Sequence, residues 1–259
     1  MSQASPVRVH VRISGSGLNV LPHTGIATIV RHWRSFGHVV EFDRIDASSS
    51  GCLSGLILAC FPSDPDDRWA TSVAFLRKKY EQHRLVETHD IIRQFFRECL
   101  PGDAHRLATD RLHVYFTTIS PCGGIRSTVQ STFTSNEDLL GAVLKSTSLP
   151  GITCTWPLVD SGKVFFDGCQ LMPHRPDPGR VGLYAGPNDL SAVFWMCGTS
   201  QFRIPGLQEM PDTRVPPPGT VVRTYVPSRV IQFILALYTY RFQLLLALGM
   251  YVLRARAWI

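Results

Sequence analysis

The chain opens with two segments whose apolar positions predict strands. Between Val7 and Ile13 every second residue is apolar, and this period of two predicts a β-strand that ends at the run S-G-S-G. A helix is expected over roughly 23–36, and the apolar run 39–45 predicts a second strand. That strand stops at a serine-rich turn, 47–51. The apolar segment 52–61 then predicts a helix that ends at Pro62.

Helix and strand patterns continue to alternate along the chain. The predicted elements are helices at 69–80, 88–100 and 136–146, strands at 112–119 and 128–133 paired through Cys122-Gly123-Gly124, and an apolar strand at 163–166. Such alternation predicts an α/β protein with a mostly parallel sheet covered on both faces. We place this domain at residues 1–204.

The C-terminal part of the sequence differs in character. Residues 205–229 are rich in proline and lack periodicity, which predicts a linker, and residues 230–259 form an apolar tail. The run 230–253 is long enough to span a bilayer, but Arg241 near its middle costs about 2.5 to 3.5 kcal/mol on insertion. We therefore favour a helix on a membrane surface, or packed on the domain, over a spanning one.

Composition and charge narrow the class of partner. Of 259 residues 44% are hydrophobic and 18% charged, as in a globular protein, and the net charge is +6. A positive surplus favours anionic partners, and the sequence has no Lys/Arg run or aromatic-basic repeat typical of nucleic-acid modules. A membrane or lipid-droplet surface is the expected partner, without nucleic acid. A charge that serves only solubility is the alternative.

The cysteines and the N-terminus indicate the compartment. Seven scattered cysteines without a C-x-x-C pair argue against a disulfide framework and against a zinc site. The polar residues 1–6 do not resemble a secretory signal. We expect an intracellular protein with reduced thiols.

Ser49 lies in a turn between a predicted strand and a predicted helix. The run A-S-S-S-G (47–51) differs by one residue from the G-x-S-x-G of a nucleophile elbow, which needs small residues such as Ala47 and Gly51 around the serine. The N–H of Ser50, at the start of the helix, favours developing negative charge. A serine that only caps the helix would give the same pattern.

Two other features of the sequence contain residue types that acyl transfer uses. The loop of Gly15, Ser16 and Gly17 can bring further N–H groups to an oxyanion, although a glycine turn without a ligand has the same sequence. Asp167 follows an apolar strand and precedes Gly168, which predicts a carboxylate at the carboxyl end of a strand, where α/β sheets place ligands. A turn-forming Asp-Gly pair is the alternative.

Three runs in this order resemble motifs of patatin-like phospholipases. S-G-S-G-L-N-V-L-P-H-T-G-I (14–26), A-S-S-S-G (47–51) and F-F-D-G-C (165–169) resemble the glycine-rich oxyanion loop, the nucleophile elbow and the D-G-G/A motif. Intervening segments such as F-F-R (95–97) and S-T-S-L-P-G (146–151) resemble the adiponutrin and adipose triglyceride lipase branch. The resemblance covers about residues 9–168.

The resemblance implies a three-layer α/β/α fold and hydrolysis of acyl esters in phospholipids or neutral glycerides. By position, Ser49 is the nucleophile, Asp167 is its base, and Gly15, Ser16 and Gly17 form the oxyanion loop. Such a Ser-Asp dyad uses no catalytic histidine and requires no metal or organic cofactor.

Three glycines of the family pattern are replaced in this chain, by Val20, Ala47 and Cys169. Loss of one oxyanion donor costs roughly a hundred- to a thousandfold in rate. A catalytically weak or silent lipid-binding protein is therefore one alternative, and an acyltransferase is another. A Ser-His-Asp triad through His23 or His174 is the remaining alternative for the mechanism.

Overall fold

The computed structural model describes residues 6–15, 30, 33–35, 37–62, 65–120, 123–168, 180–185 and 221–223. The strands are β1 (Val7–Ile13), β2 (Val40–Ser48), β3 (Leu112–Ser120), β4 (Gly124–Gln130), β5 (Leu158–Asp160), β6 (Lys163–Asp167), β7 (Val181–Ala185) and β8 (Val221–Arg223). The helices are α1 (Gly51–Cys60), α2 (Pro65–Gln82), α3 (Thr88–Cys99), α4 (Ala104–Ala108) and α5 (Asn136–Ser146), with a 3-10 turn at Leu85–Glu87.

The strands form one mixed sheet. Hydrogen-bonded neighbours follow the order β5-β6-β3-β2-β1-β7-β8, and β4 also pairs with β3. The pairs from β3 through β2, β1 and β7 to β8 are parallel, whereas β3 pairs antiparallel with β4 and β6, and β5 pairs antiparallel with β6. The predicted α/β class with a mostly parallel sheet is confirmed.

Two strands share one edge of β3. β2 pairs with residues 112–115 of β3, and β6 pairs with residues 116–119. β4 pairs with residues 114–120, so it must occupy the other edge. Because β2 is parallel and β6 antiparallel to β3, their carboxyl ends meet head to head, with Ser48 opposite Tyr115 and Asp167 opposite Phe116. The ends of both strands that carry the predicted dyad are therefore adjacent.

Helix α1 packs against one face of the central strands. All ten of its residues are buried, which suits a helix that is apolar on every side. A Cβ added at Gly55 would lie 2.8 Å from Leu112 Cδ1 and 3.1 Å from the Cβ of Ala47. The small residues Gly55 and Ala47 thus allow helix and sheet to pack closely. Ala47 belongs to this packing as well as to the predicted elbow.

The opposite face of β1 and β2 carries buried polar side chains. His10 Nε2 lies 2.8 Å from Asp46 Oδ2, and Arg44 Nε donates a 2.9 Å hydrogen bond to Asp46 Oδ1. Burial opposes ionisation of Asp46, but its hydrogen bonds with His10 and Arg44 outweigh that effect and lower its pKa. Polar positions towards the carboxyl ends of these strands are therefore buried too, whereas Arg8 and Glu41 near their amino ends are exposed.

Most element boundaries match the prediction, and several elements were missed. β4 begins at Gly124 and ends at Gln130 rather than spanning 128–133, and α2 begins at Pro65. The sequence did not predict α4, β5, β7 and β8, and β8 falls within the stretch expected to be a linker. The predicted apolar helix of the tail lies outside the described residues. Among the helices described, none is long and apolar enough to cross a membrane.

Candidate active site

Ser49 occupies a strained turn between β2 and α1. Its φ of 54° lies in the left-handed region, which only two other non-glycine residues of the described chain adopt. A serine on a sharp, strained strand-to-helix turn is the backbone geometry of a nucleophile elbow, although Ser49 is only 8% exposed. The N-cap residue of α1 is Ser50, so Ser49 is not the helix cap.

The start of α1 lies against the end of β1. A Cβ added at Gly51 would come closer than 3.0 Å to the carbonyl oxygen of Ile13, so only glycine fits there without movement. Gly15 follows two residues later and is buried. Gly15, the first residue of the predicted oxyanion loop, thus lies just beyond the end of β1, which contacts the serine turn. Ser16 and Gly17 lie outside the described residues.

Asp167 is the last residue of β6 and is 7% exposed. A Cβ added at the following Gly168 would lie closer than 3.0 Å to the carbonyl oxygen of Tyr115. Gly168 is not among the glycines with positive φ, so the Asp-Gly pair is not a left-handed turn. The glycine instead lets the chain after Asp167 approach the backbone of β3.

The segment that ends α5 touches both predicted catalytic residues. The N–H of Ser49 donates to Ser146 Oγ at 2.9 Å, and the N–H of Gly168 donates to the carbonyl oxygen of Ser146 at 3.3 Å. The N–H of Asp167 donates to the carbonyl oxygen of Ser148 at 3.0 Å. Residues 146–148 therefore connect the serine turn with the end of β6.

Electrostatics also connect Asp167 with the first turn of α1. Burial raises the pKa of the Cys52 thiol to about 12, and the carboxylate of Asp167 contributes to the rise. The thiol donates to Ser146 Oγ at 3.3 Å. Asp167 thus acts on the helix turn that follows Ser49, and Cys52 stays protonated and does not compete as a nucleophile.

Comparisons with known proteins add one distant structural likeness. No protein-family model matches this chain, and no curated protein matches it. The crystal structure of VipD from Legionella pneumophila is similar over 87% of this chain, with 12% sequence identity and a TM-score of 0.38. This chain spans 63% of that protein's chain. So slight a likeness does not bear on the chemistry of the site, and the adiponutrin branch stays a prediction.

The structure brings most of the predicted site residues to one end of the sheet. Around the facing ends of β2 and β6 lie Ala47, Ser49, Ser50, Gly51, Asp167 and Gly168. Other residues of the prediction lie outside the described chain: Ser16, Gly17, Val20, His23, Cys169 and His174. Within the described ranges, no group of three or more His, Cys, Asp or Glu side chains can hold a metal ion.

The sequence missed the part played by residues 146–148. They belong to the run S-T-S-L-P-G, which is part of the family resemblance, but the sequence assigned no role to these three residues. All three are buried although all three carry hydroxyl groups. Hydrophobic periodicity does not identify buried polar residues at a helix end, so the resemblance was the available signal.

Proposed function

We propose that this chain is a serine-dependent lipid acyl hydrolase that uses Ser49 as nucleophile and Asp167 as base. The observation that carries the proposal is the meeting of two strand ends on one edge of β3. One end leads into the strained turn of Ser49, and the other ends in the buried Asp167. Such a turn and a nearby base are the two parts that nucleophilic acyl transfer needs.

The reaction proceeds in two steps. Asp167 accepts the proton of Ser49 Oγ as the oxygen attacks the ester carbonyl, and the alcohol leaves with that proton. Water then attacks the acyl-enzyme with Asp167 again as base, which releases the acid and restores the serine. Because the N–H of Ser49 already bonds to Ser146, the oxyanion donors must be other groups. We assign them to the N–H of Ser50 and to the loop that begins at Gly15.

The expected substrates are acyl esters of phospholipids or neutral glycerides. This substrate class rests on the ordered resemblance of the three motifs to patatin-like phospholipases. The net charge of +6 supports association with an anionic lipid surface. Exposed apolar side chains, among them Trp156 at 78% exposure, support the same partner.

Covalent labelling tests the proposal directly. A fluorophosphonate should label the purified protein, and Ser49→Ala should abolish both labelling and hydrolysis of a short soluble ester. Asp167→Asn should slow labelling by about a hundredfold or more, because a general base contributes roughly 10² to 10⁴ in rate. Ser161→Ala and Asp160→Asn are matched controls, since Ser161 also has positive φ and both residues are exposed.

Other outcomes identify the alternatives. A folded wild-type protein that takes no label supports the silent lipid-binding protein. Full labelling of Ser49→Ala rejects the assigned nucleophile. Loss of labelling in His23→Ala or His174→Ala, but not in Asp167→Asn, supports the triad. Labelling together with acyl transfer to an added alcohol, and little hydrolysis, supports the acyltransferase.

A further inference from the structure

The hydroxyl of Ser146 lies at the junction where the edge of β3 passes from β2 to β6. It donates to the carbonyl oxygen of Tyr115 at 2.5 Å and accepts from the N–H of Ser49 at 2.9 Å. Cys52 Sγ, at 3.3 Å, donates to its remaining lone pair. A serine hydroxyl offers one donor and two acceptor positions, so these three contacts use all of them. The orientation of the hydroxyl is therefore fixed.

We propose that Ser146 is a positioning residue that holds the nucleophile turn in register with the base. This inference rests on the proposed function of Ser49 and Asp167. The Ser146 side chain binds the N–H of Ser49, and its backbone carbonyl binds the N–H of Gly168, next to Asp167. One fully buried residue at the end of α5 thus contacts Ser49 and the residue that follows Asp167.

The strained conformation of Ser49 explains why the turn needs the hydrogen bond to Ser146. Residues other than glycine persist in the left-handed region only where the surrounding structure determines them. In this conformation the amide N–H of Ser49 donates its hydrogen bond to Ser146 Oγ. Without it a buried N–H loses its partner, and the turn can relax away from its strained φ.

The arrangement matters for a dyad in particular. With no histidine between nucleophile and base, the proton passes directly from Ser49 to Asp167, so the relative placement of the two strand ends sets the rate. Misplacement of reacting groups by about 1 Å can cost a hundredfold in rate. Ser146 therefore acts on the rate of acylation and not on substrate binding.

The test compares two serine-to-alanine variants in the full-length chain. Ser146→Ala should lower the second-order rate of fluorophosphonate labelling by about ten- to a hundredfold. On p-nitrophenyl butyrate its kcat should fall while KM stays within about twofold of wild type. Ser72→Ala is the matched control, because this serine is also buried but lies in α2, outside the segment 146–148 that contacts the serine turn and the end of β6. It should label at nearly the wild-type rate.

Ser146→Cys provides a second variant of similar volume whose sulfur is a weaker acceptor. This variant should fold, as judged by circular dichroism, and should be labelled more slowly than wild type. It takes the place of Ser146→Ala in the comparison if the alanine variant does not fold. Wild-type labelling of a folded Ser146 variant overturns the inference, as does an equal loss in Ser72→Ala. Absence of labelling in the wild-type protein contradicts the proposed function itself, so the two failures are distinguishable.

Discussion

Gly51 and Gly168 flank the candidate dyad for a steric reason. Gly51 lies close to the carbonyl oxygen of Ile13, and Gly168 lies close to that of Tyr115. A Cβ added at either glycine would lie closer than 3.0 Å to that oxygen. Neither contact involves the end of a flexible side chain that could move aside. Backbone proximity, and not turn conformation, is therefore the property that these glycines supply next to Ser49 and Asp167.

Alanine at Gly168 should consequently be costly. We expect Gly168→Ala to lower the free energy of unfolding by about 2 kcal/mol or more, because the backbone of β3 must move to admit the methyl group. Gly141→Ala is the control, since nothing lies within 4 Å of an added Cβ there and alanine favours a helix interior by roughly 0.5 to 1 kcal/mol. Urea unfolding measures both, and equal stability of the two variants would contradict the steric account.

The sequence predicted some residues of the site and missed others for physical reasons. Ser49 and Asp167 follow apolar strands, so hydrophobic pattern and motif order indicate them together. Ser146 and the His10–Asp46 pair are polar groups whose burial depends on contacts between distant segments. Local pattern carries no record of such contacts, and these residues became recognisable only in the structure.

Among the helices, α3 carries a buried titratable group. His89 is 6% exposed, and burial, assisted by Arg93, lowers its pKa from 6.5 to about 4. The folded state therefore binds this proton less readily than the unfolded chain does. The stability that neutral His89 provides is complete above pH 6.5 and is lost as the pH falls through about 4.

Acid should weaken the protein through this helix before carboxylates titrate. Between pH 7.5 and pH 5 we expect the free energy of unfolding to fall by roughly 2 kcal/mol on account of His89. His89→Gln should flatten that dependence in urea unfolding. Burial lowers the pKa of His113 as well, so the difference between the two profiles, and not the wild-type profile alone, isolates His89. The lowered pKa of Asp46 keeps its contribution intact above pH 3.8. Parallel pH profiles for wild type and variant would exclude the assignment.

The predicted bounds were accurate for elements that bury one face, because such elements have a regular pattern of apolar residues. β1 and α5 match their patterns because they pack against the core. β4 was placed too late because it is an exposed edge strand, whose position depends on pairing with β3. Phe133, taken as part of that strand, is buried outside it. The three-residue β5 and β8 are too short to show a period.

Across the whole molecule, an aliphatic row crosses four strands at one end of the sheet. Ile125, Ile119, Val164 and Val159 are successive partners from β4 through β3 and β6 to β5. The inner two are buried, whereas Ile125 is 48% and Val159 65% exposed. The exposed Arg126 and Lys163 lie at the same end. This row lies about 13 Å along β3 beyond the end of β2, on the side towards which the Ser49 turn points.

Vesicle binding tests the proposed lipid partner at this surface. Aspartate at both Ile125 and Val159 should weaken binding to vesicles rich in phosphatidylserine by about tenfold or more, because inserted charge opposes burial of apolar side chains. Val39→Asp is the control, since Val39 is 59% exposed and precedes β2 at the opposite end of the sheet. Equal loss in the control contradicts docking here. A dimer that the double variant dissociates would identify a second copy as the occupant.

The shared edge of β3 has a consequence for when the proposed activity arises during synthesis. Ser49 and Asp167 are more than a hundred residues apart in the chain, and they become neighbours only when β6 occupies the half of the edge that β2 leaves open. Pairing between such distant segments is slow compared with local folding. A ribosome-bound chain that has emerged only as far as α1 therefore carries Ser49 without Asp167, and the proposed hydrolysis has to wait until β6 has paired with β3.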